Sequence, residues 1–351
     1  MTIKSFHIEY DAINDRNTFT NGDTINGRII LEVSKETKVQ SLLFIGKGKA
    51  NVRWSEHYGE HTHVYWSDEK YYNVKHHLLR ESRQDGTEVI GKGRHVFPFS
   101  FKIPDRKMPS SFYSSVGRIV HRLEVELHQS MKLTKTAKTH FTFISTADMD
   151  TPGLMVSQHG SKDKSFAFGS GNVSMDVFTQ KMGYKLGETL SVSIKINNAS
   201  SRSVKPKLEL YEKKSFFAQG RRKIETKTIL KEKAEAVEAQ SGKKTVTKMI
   251  TIPRVLPPSI LNCSILKVEY RLKVYLNIKF AADPVVKLPI VILPEDNSRV
   301  SDEEQPFPPV GFGFEAFGNQ NPQSWDATSQ AMSLPPPYEA SAMYPPFPTI
   351  S

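Results

Sequence analysis

The chain has 351 residues, of which 38% are hydrophobic, and a formal net charge of +11. This length accommodates two ordinary domains plus a tail, and the hydrophobic share is too high for a wholly disordered chain. The one cysteine excludes an intramolecular disulfide and a zinc site of clustered cysteines, so a reducing compartment is expected. No segment resembles a signal peptide or a membrane span, which predicts a soluble intracellular protein.

Residues 1–296 are predicted to form strand after strand. Phe6, Ile8 and Tyr10 alternate with polar residues, as a half-buried strand requires. Residues 230–240 alone have the composition of a helix, but they lack an amphipathic stripe, so we expect a solvated hairpin or a short helix. Strands at this spacing, without alternating helices, predict an all-β protein made of β-sandwiches. The same alternation recurs at residues 96–103, 123–127 and 190–196.

An internal repeat indicates two copies of one sandwich. Residues 19–25 and 184–190 each contain an aromatic residue, a turn of glycine, acid and threonine, and then an alternating strand. Glycine provides the turn's unusual backbone dihedral, and the acid together with the threonine can bond exposed turn amides. These blocks are 165 residues apart. Two later pairs are 149 residues apart: Ile103-Pro104 with Ile252-Pro253, and residues 122–127 with 271–276.

The repeat divides the chain into domains. We predict one sandwich over residues 1–150 and a second over residues 151–296, joined near Thr151-Pro152-Gly153. The first copy carries about 16 more residues between its blocks, which we assign to the His-rich stretch 56–73. Residues 297–351 are predicted to form a disordered tail, because they hold ten of the 21 prolines and cannot supply a core.

The tail carries a short binding motif, PPxY, over Pro335, Pro336, Pro337 and Tyr338. The prolines fix φ close to polyproline II, so the peptide loses little entropy when it docks in an aromatic groove such as that of a WW domain. The Tyr338 ring adds a large side chain for a neighbouring pocket. The alternative is an unused proline spacer.

Charge is distributed unevenly along the chain. The tail has a net charge of −5, which leaves +16 on residues 1–296. This excess predicts contact with an anionic surface such as a cytoplasmic leaflet or phosphorylated cargo, although many lysines would equally suit solvated strand faces. The candidate residues for an anionic head group or acidic cargo, with a solvated hairpin as the alternative, are Lys213, Lys214, Arg221, Arg222 and Lys223.

No catalytic site, cofactor or metal is predicted. Gly46-Lys47-Gly48 does not open a helix in a βαβ unit, so it is not a phosphate loop. Cys263 begins a predicted buried strand, where cysteine acts as a small hydrophobe. Nucleic-acid binding is not expected, because aromatic and basic residues are not interleaved. A loop of possible metal ligands, simpler to interpret as solvated side chains, contains Glu56, His57, Glu60, His61 and His63.

The chain resembles the arrestin-domain-containing (alpha-arrestin) family over about residues 4–295. The resemblance is carried by the order and spacing of several segments together. These are Asn21-Gly22-Asp23-Thr24 ahead of Gly27-Arg28-Ile29, residues 49–56, Thr151-Pro152, residues 183–188, and residues 257–265 ahead of Val268-Glu269-Tyr270.

The resemblance implies two tandem immunoglobulin-like (arrestin-like) β-sandwiches followed by the tail. It also implies a non-enzymatic trafficking adaptor that links transmembrane cargo to WW-domain HECT-type ubiquitin ligases through PPxY. Such an adaptor would promote ubiquitination, endocytosis or endosomal sorting, and would be cytoplasmic, peripherally at the plasma membrane and endosomes. The alternative is a structural sorting or coat subunit resembling retromer's arrestin-like component, acting without a ligase.

The sequence departs from the family pattern in two respects. Members often carry two PPxY motifs, but Tyr344-Pro345-Pro346-Phe347 lacks the tyrosine in the required place. The first strand has only Lys4 before Phe6, where classical arrestins use a lysine pair to sense receptor phosphates. Phosphate-switched receptor binding is therefore not expected.

Overall fold

A computed structural model describes residues 2–79, 88–146, 150–166 and 171–294 of the chain. Within these ranges the regular structure is β-strand without α-helix, which confirms the predicted all-β class. No helix in the described ranges is long and apolar enough to cross a bilayer. The predicted tail, 297–351, and its PPxY motif lie outside the described residues.

The first half folds into a β-sandwich. Its strands are β1 (Ile3–Tyr10), β2 (Thr18–Phe19), β3 (Thr24–Val33), β4 (Thr37–Val39), β5 (Ser41–Tyr58), β6 (His61–Leu79), β7 (Glu88–Ile90), β8 (Gly93–Lys102), β9 (Phe112–Tyr113), β10 (Gly117–His128) and β11 (Lys135–Phe143). One sheet has the order β1-β3-β8 and the other β2-β11-β10-β5-β6, with β9 added to β10. Strands β4 and β7 pair separately.

The second half builds a second sandwich. Its strands are β12 (Gln158–Ser165), β13 (Asn172–Thr179), β14 (Gly183–Lys185), β15 (Thr189–Asn198), β16 (Val204–Ala218), β17 (Arg221–Lys233), β18 (Gly242–Thr251), β19 (Leu266–Ile278) and β20 (Val285–Leu293). The sheet orders are β12-β13-β15-β18 and β14-β20-β19-β16-β17.

The two sandwiches share one topology, as the internal repeat predicts. The order β2-β11-β10-β5-β6 in the first matches β14-β20-β19-β16-β17 in the second, and each begins with a short parallel pairing. Nine of the roughly 16 extra residues of the first copy lengthen one hairpin, so their assignment to residues 56–73 is only partly right, and the others fall before β5 and between β6 and β8. Strands β5 and β6 have 18 and 19 residues, against 15 and 13 in β16 and β17.

The repeated turn has the predicted geometry in both copies. Gly22 and Gly187 have φ of +76° and +78°, a region that side chains with a Cβ rarely adopt. The Asp23 carboxylate accepts the backbone N–H three residues earlier at 2.7 Å, and the Glu188 carboxylate does the same at 2.9 Å. The later blocks of the repeat, which are 149 residues apart, also occupy equivalent places, because the paired side chains are fully buried in both sandwiches. These pairs are Ile103 with Ile252, Leu123 with Leu272, Val125 with Val274, and Leu127 with Leu276.

The short helix considered for residues 230–240 is absent. The segment begins as the end of β17 and continues as a loop. Val237 is buried there and exchanges two backbone hydrogen bonds with Val204, of 2.8 and 2.9 Å. Pairing with a neighbouring strand therefore overrides the local helix propensity of this Lys-, Glu- and Ala-rich run.

The two sandwiches are packed directly against each other. Val52, Trp54 and Phe112 of the first are buried in a hydrophobic cluster that continues into the core of the second, where it includes Phe216 and Leu266. A separate cluster, between β3, β8, β10 and β11, fills the first sandwich. Residues 2–294 therefore include two cores and an apolar junction between them.

Candidate functional site

The five basic residues predicted to bind an anionic group all lie on the two paired strands of the β16–β17 hairpin. Its turn is Gln219-Gly220, with φ of +50° and +72°, so Ala218 pairs with Arg221 and the basic run opens the returning strand. Positive φ at both central residues is the requirement of a tight type I′ hairpin turn. The hairpin thus fixes which side of the sheet each cation faces.

Lys213 and Lys214 face opposite sides of the sheet and are each paired. The Lys213 ammonium lies 3.6 Å from the Glu269 carboxylate on the neighbouring strand β19. The Lys214 ammonium lies 3.1 Å from Glu212 and 5.8 Å from the centre of the Phe112 ring. Both ammonium groups therefore already contact a carboxylate of the protein itself.

The other three predicted cations also divide between the two sides. Arg222 Nη2 donates to Ser215 Oγ at 2.8 Å, and its guanidinium lies 5.2 Å from the centre of the Phe217 ring. Arg221 and Lys223 precede and follow Arg222 in the strand, so they point to the opposite side of the sheet. There their positive charges lower the pKa of the Glu56 carboxyl in the first sandwich. The predicted set therefore occupies one hairpin but two faces.

Glu56 lies where the β5–β6 hairpin of the first sandwich approaches the β16–β17 hairpin of the second. Hydrogen bonds from Tyr58 and from the Trp54 indole lower the pKa of its carboxyl, and the nearby charges of Arg221 and Lys223 lower it further. A carboxylate stabilised in this way stays ionised and offsets part of the positive charge on this side.

A larger cationic surface, not recognised from the sequence, covers the outward face of the five-stranded sheet of the second sandwich. Register places alternate residues of four strands on this face, which we call the outer basic face. Among the described residues of these four strands, Glu209 and Glu269 are the carboxylates on it. Its cations are Lys205, Lys207 and Lys213 on β16, Arg222, Lys231 and Lys233 on β17, Lys267, Arg271 and Lys273 on β19, and Lys287 on β20.

The centre of the outer basic face is organised by one carboxylate and one aromatic ring. Glu209 accepts the Thr228 hydroxyl, and this bond, followed by the charges of Lys273 and Lys231, lowers the pKa of the Glu209 carboxyl. The ammonium of Lys273 lies 4.8 Å from the centre of the Tyr275 ring. Cations outnumber these acceptors, so the face suits an anionic partner.

The junction between the sandwiches carries a compact polar contact. The Glu69 carboxylate accepts the backbone N–H of Ser264 at 2.8 Å and also its hydroxyl. Beside it the Tyr71 hydroxyl donates to Cys263 Sγ at 3.2 Å. Burial raises the pKa of the Cys263 thiol, so it stays protonated. Cys263 is buried as predicted, but it lies in the loop before β19 and not in the strand itself.

The His-rich loop predicted as a solvated segment forms the tip of β5–β6. His57 Nδ1 is 2.9 Å from Thr62 Oγ1, and His63 packs 4.4 Å from Tyr65, ring centre to ring centre. Across the described residues no group of three or more His, Cys, Asp or Glu side chains is arranged to hold a metal ion. The WW-binding candidates Pro335–Tyr338 lie beyond the described ranges.

Comparisons with known proteins match both sandwiches. Residues 6–150 match the family described as "Arrestin (or S-antigen), N-terminal domain", and residues 169–297 match "Arrestin (or S-antigen), C-terminal domain". Arrestin domain-containing protein 4 of Mus musculus is 26% identical over 351 residues, covering 97% of this chain and 81% of the relative. The Homo sapiens protein of that name is 27% identical over 283 residues, covering 78% and 68%. Thioredoxin-interacting protein of Homo sapiens is 25% identical over 297 residues, covering 83% and 74%.

Proposed function

Because this chain belongs to the arrestin-domain-containing (alpha-arrestin) family, we propose that it brings WW-domain HECT-type ubiquitin ligases to membrane-protein cargo. Its family supports the general class of non-enzymatic adaptor for partner proteins. The finer assignment depends on the PPxY peptide at Pro335–Tyr338, behind two sandwiches that carry basic surface.

The ligase side of the proposal rests on peptide chemistry. Pro335 and Pro336 supply a preorganised polyproline segment for an aromatic WW groove, and Tyr338 supplies the ring that fills the adjoining pocket. A single short peptide buries little area, so one WW domain should bind it with a Kd on the order of micromolar.

The cargo side rests on charge. The outer basic face and the hairpin β16–β17 offer cations to an acidic or phosphorylated segment of cargo, or to an anionic leaflet. Holding cargo on the sandwiches and a ligase on the tail converts a weak bimolecular encounter into an intramolecular one with a high effective concentration. This role places the protein in the cytoplasm, peripherally at the plasma membrane and endosomes.

Tyr338→Ala in the full chain is the decisive test. Removing the one large side chain that the motif inserts should weaken capture of isolated WW domains by roughly 2 kcal/mol, or about thirtyfold. Tyr344→Ala is the matched control, because Tyr344 precedes its prolines and should leave binding unchanged.

A coat subunit that works without a ligase gives a different result. It would sort cargo normally with Tyr338→Ala, and its wild-type form would capture WW domains no better than the variant does. Equal capture of WW-bearing ligases by the two forms would contradict recruitment through the tail. Loss of ligase with retained cargo association would support the adaptor.

A further inference from the structure

One side of the β5–β6 hairpin carries an exposed tryptophan near its end. Trp66 lies between Val64 and Asp68 on β6, and alternate residues of a strand point to the same side of the sheet. The pairing register adds the residues of β5 that lie directly opposite these three. We call this set the Trp66 face, and it consists of Asn51, Arg53 and Ser55 on β5 with Val64, Trp66 and Asp68 on β6.

The centre of the Trp66 face is apolar and open to solvent. The exposed fraction is 57% for Trp66 and 37% for Val64. Beside them lies an open depression of about 510 Å³, which Arg53 and Asp68 also line. Tryptophan is among the residues that contribute most to binding between proteins, so an exposed tryptophan next to a depression indicates an interaction surface.

The Trp66 face points away from the second sandwich. Glu69, which follows Asp68 in β6, points to the other side of the sheet, where its carboxylate accepts the Ser264 backbone N–H. Trp54 also lies on that other side and is buried in the cluster shared by both sandwiches. The contact between the sandwiches therefore leaves the Trp66 face uncovered.

The apolar centre of the Trp66 face is accompanied by one charge of each sign. Arg53 and Asp68 are both exposed, and neither forms an ion pair with another residue that the structure describes. The outer basic face of the second sandwich suits an anionic surface, but Asp68 would repel such a surface from the Trp66 face. A partner for this face must therefore offer an acidic group to Arg53, a basic group to Asp68 and an apolar group to Trp66.

We propose that the Trp66 face binds the same face of a second copy of this chain. A dimer with twofold symmetry uses one patch on both copies, so that patch has to be complementary to itself. Trp66 lies at a similar distance from the two charges, about 5 Å across the ladder from Arg53 and about 7 Å along β6 from Asp68. A twofold axis through Trp66 therefore brings Arg53 of one copy to Asp68 of the other, twice. An interface of this size belongs to the weak, transient class, with a Kd on the order of ten micromolar.

Dimerisation would give one complex two PPxY motifs. Each chain carries a single motif, at Pro335–Tyr338, and one such peptide binds a WW domain weakly. A ligase with several WW domains would hold two linked motifs more tightly than one, because the second binding step becomes intramolecular. This consequence rests on the proposed recruitment of a ligase, whereas the dimer itself does not.

The test is the mass of the full chain in solution, measured by light scattering over a range of concentrations around the expected Kd. The wild type should change from one chain to two as the concentration rises. Arg53→Asp and Asp68→Arg should each weaken dimerisation by about tenfold or more, because either change places like charges together at two positions. An equimolar mixture of these two variants should dimerise like the wild type, since each copy then offers the charges that the other requires.

Trp66→Ser should also weaken dimerisation by about tenfold. Its matched control is Met249→Ser, since Met249 is 63% exposed on β18 of the second sandwich, and this variant should dimerise like the wild type. Tyr338→Ala should do the same, which separates a failure of the dimer from a failure of ligase recruitment. A wild type that stays a single chain well above the expected Kd would overturn the proposal. So would a mixture of the two charge variants that dimerises no better than either variant alone, which would assign the Trp66 face to a different partner.

Discussion

His121 is buried inside the first sandwich, and the described residues that contact its ring are uncharged. Its Nε2–H donates to the Pro109 carbonyl oxygen at 3.1 Å, so Nδ1 accepts the Tyr72 hydroxyl at 3.2 Å. Its ring stacks on Phe143 with 4.4 Å between centres. Burial lowers the pKa of His121 to about 4, because the core disfavours the charged imidazolium.

This histidine should make the fold sensitive to acid. The unfolded chain takes up a proton near the ordinary histidine pKa, whereas the folded chain resists it until about pH 4. The free energy of unfolding should therefore fall by a few kcal/mol as pH drops across that window. Urea unfolding at pH 7 and pH 5 measures the slope, which His121→Gln should flatten. An unchanged slope in the variant would show that other groups control acid stability.

At the scale of elements, the outer basic face should contribute more to anionic binding than the tip of the β16–β17 hairpin. Lys205 and Lys287 are exposed on this face, on β16 and β20. Reversing both charges, Lys205→Glu with Lys287→Glu, should weaken binding to anionic vesicles several-fold and reduce its salt dependence. Vesicle titrations at two salt concentrations measure both effects.

A control with the same change in net charge separates this face from a general effect. Lys243→Glu with Lys244→Glu alters two exposed lysines of β18, which belongs to the other sheet of the same sandwich. This pair should leave most of the binding intact. Equal losses from the two pairs would show that total charge, not the outer basic face, attracts the membrane.

The sequence predicts the positions of the strands well, but it does not predict which side chains from different strands share one face of a sheet. Period-two alternation and the duplicated blocks are local signals, and they identify β1, β10 and β15 correctly. The basic run at Arg221–Lys223 is also visible, but its division between two sides depends on the pairing register. Lys205, Arg271 and Lys287 are far apart in sequence and meet on one face only when β16, β19 and β20 pair.

For the molecule as a whole, the contact of Glu69 with Ser264 couples the two sandwiches. Glu69→Ala removes the acceptor of three hydrogen bonds, from the Ser264 N–H, the Ser264 hydroxyl and the Cys263 thiol, so it should cost about 1–3 kcal/mol at the junction. Hydrogen exchange at the Ser264 amide should accelerate, and thermal unfolding should separate toward two transitions. Asp68→Ala is the control, because successive β6 side chains point to opposite faces. Equal protection of the Ser264 amide in wild type and Glu69→Ala would contradict this coupling.

This contact was beyond sequence reasoning because its partners are 195 residues apart and polar. The repeat predicts two similar sandwiches, but it does not say which surfaces they present to each other. Trp54 and Phe112 look like ordinary core residues in the sequence, whereas they pack into the cluster shared by both sandwiches. Relative placement depends on the shapes of finished domains, which no local pattern encodes.

The short parallel pairings have a consequence for synthesis. Strand β2 at Thr18–Phe19 pairs with β11 at Thr142–Phe143, so the first sandwich closes only after nearly its whole length has been made. Strand β14 likewise can pair only after β20 has been synthesised. Such non-local closure is slow, and the N-terminal domain generally folds first during translation. The apolar surface around Trp54 and Phe112 then stays uncovered until the second sandwich is complete, which makes the half-made chain a natural client for chaperones.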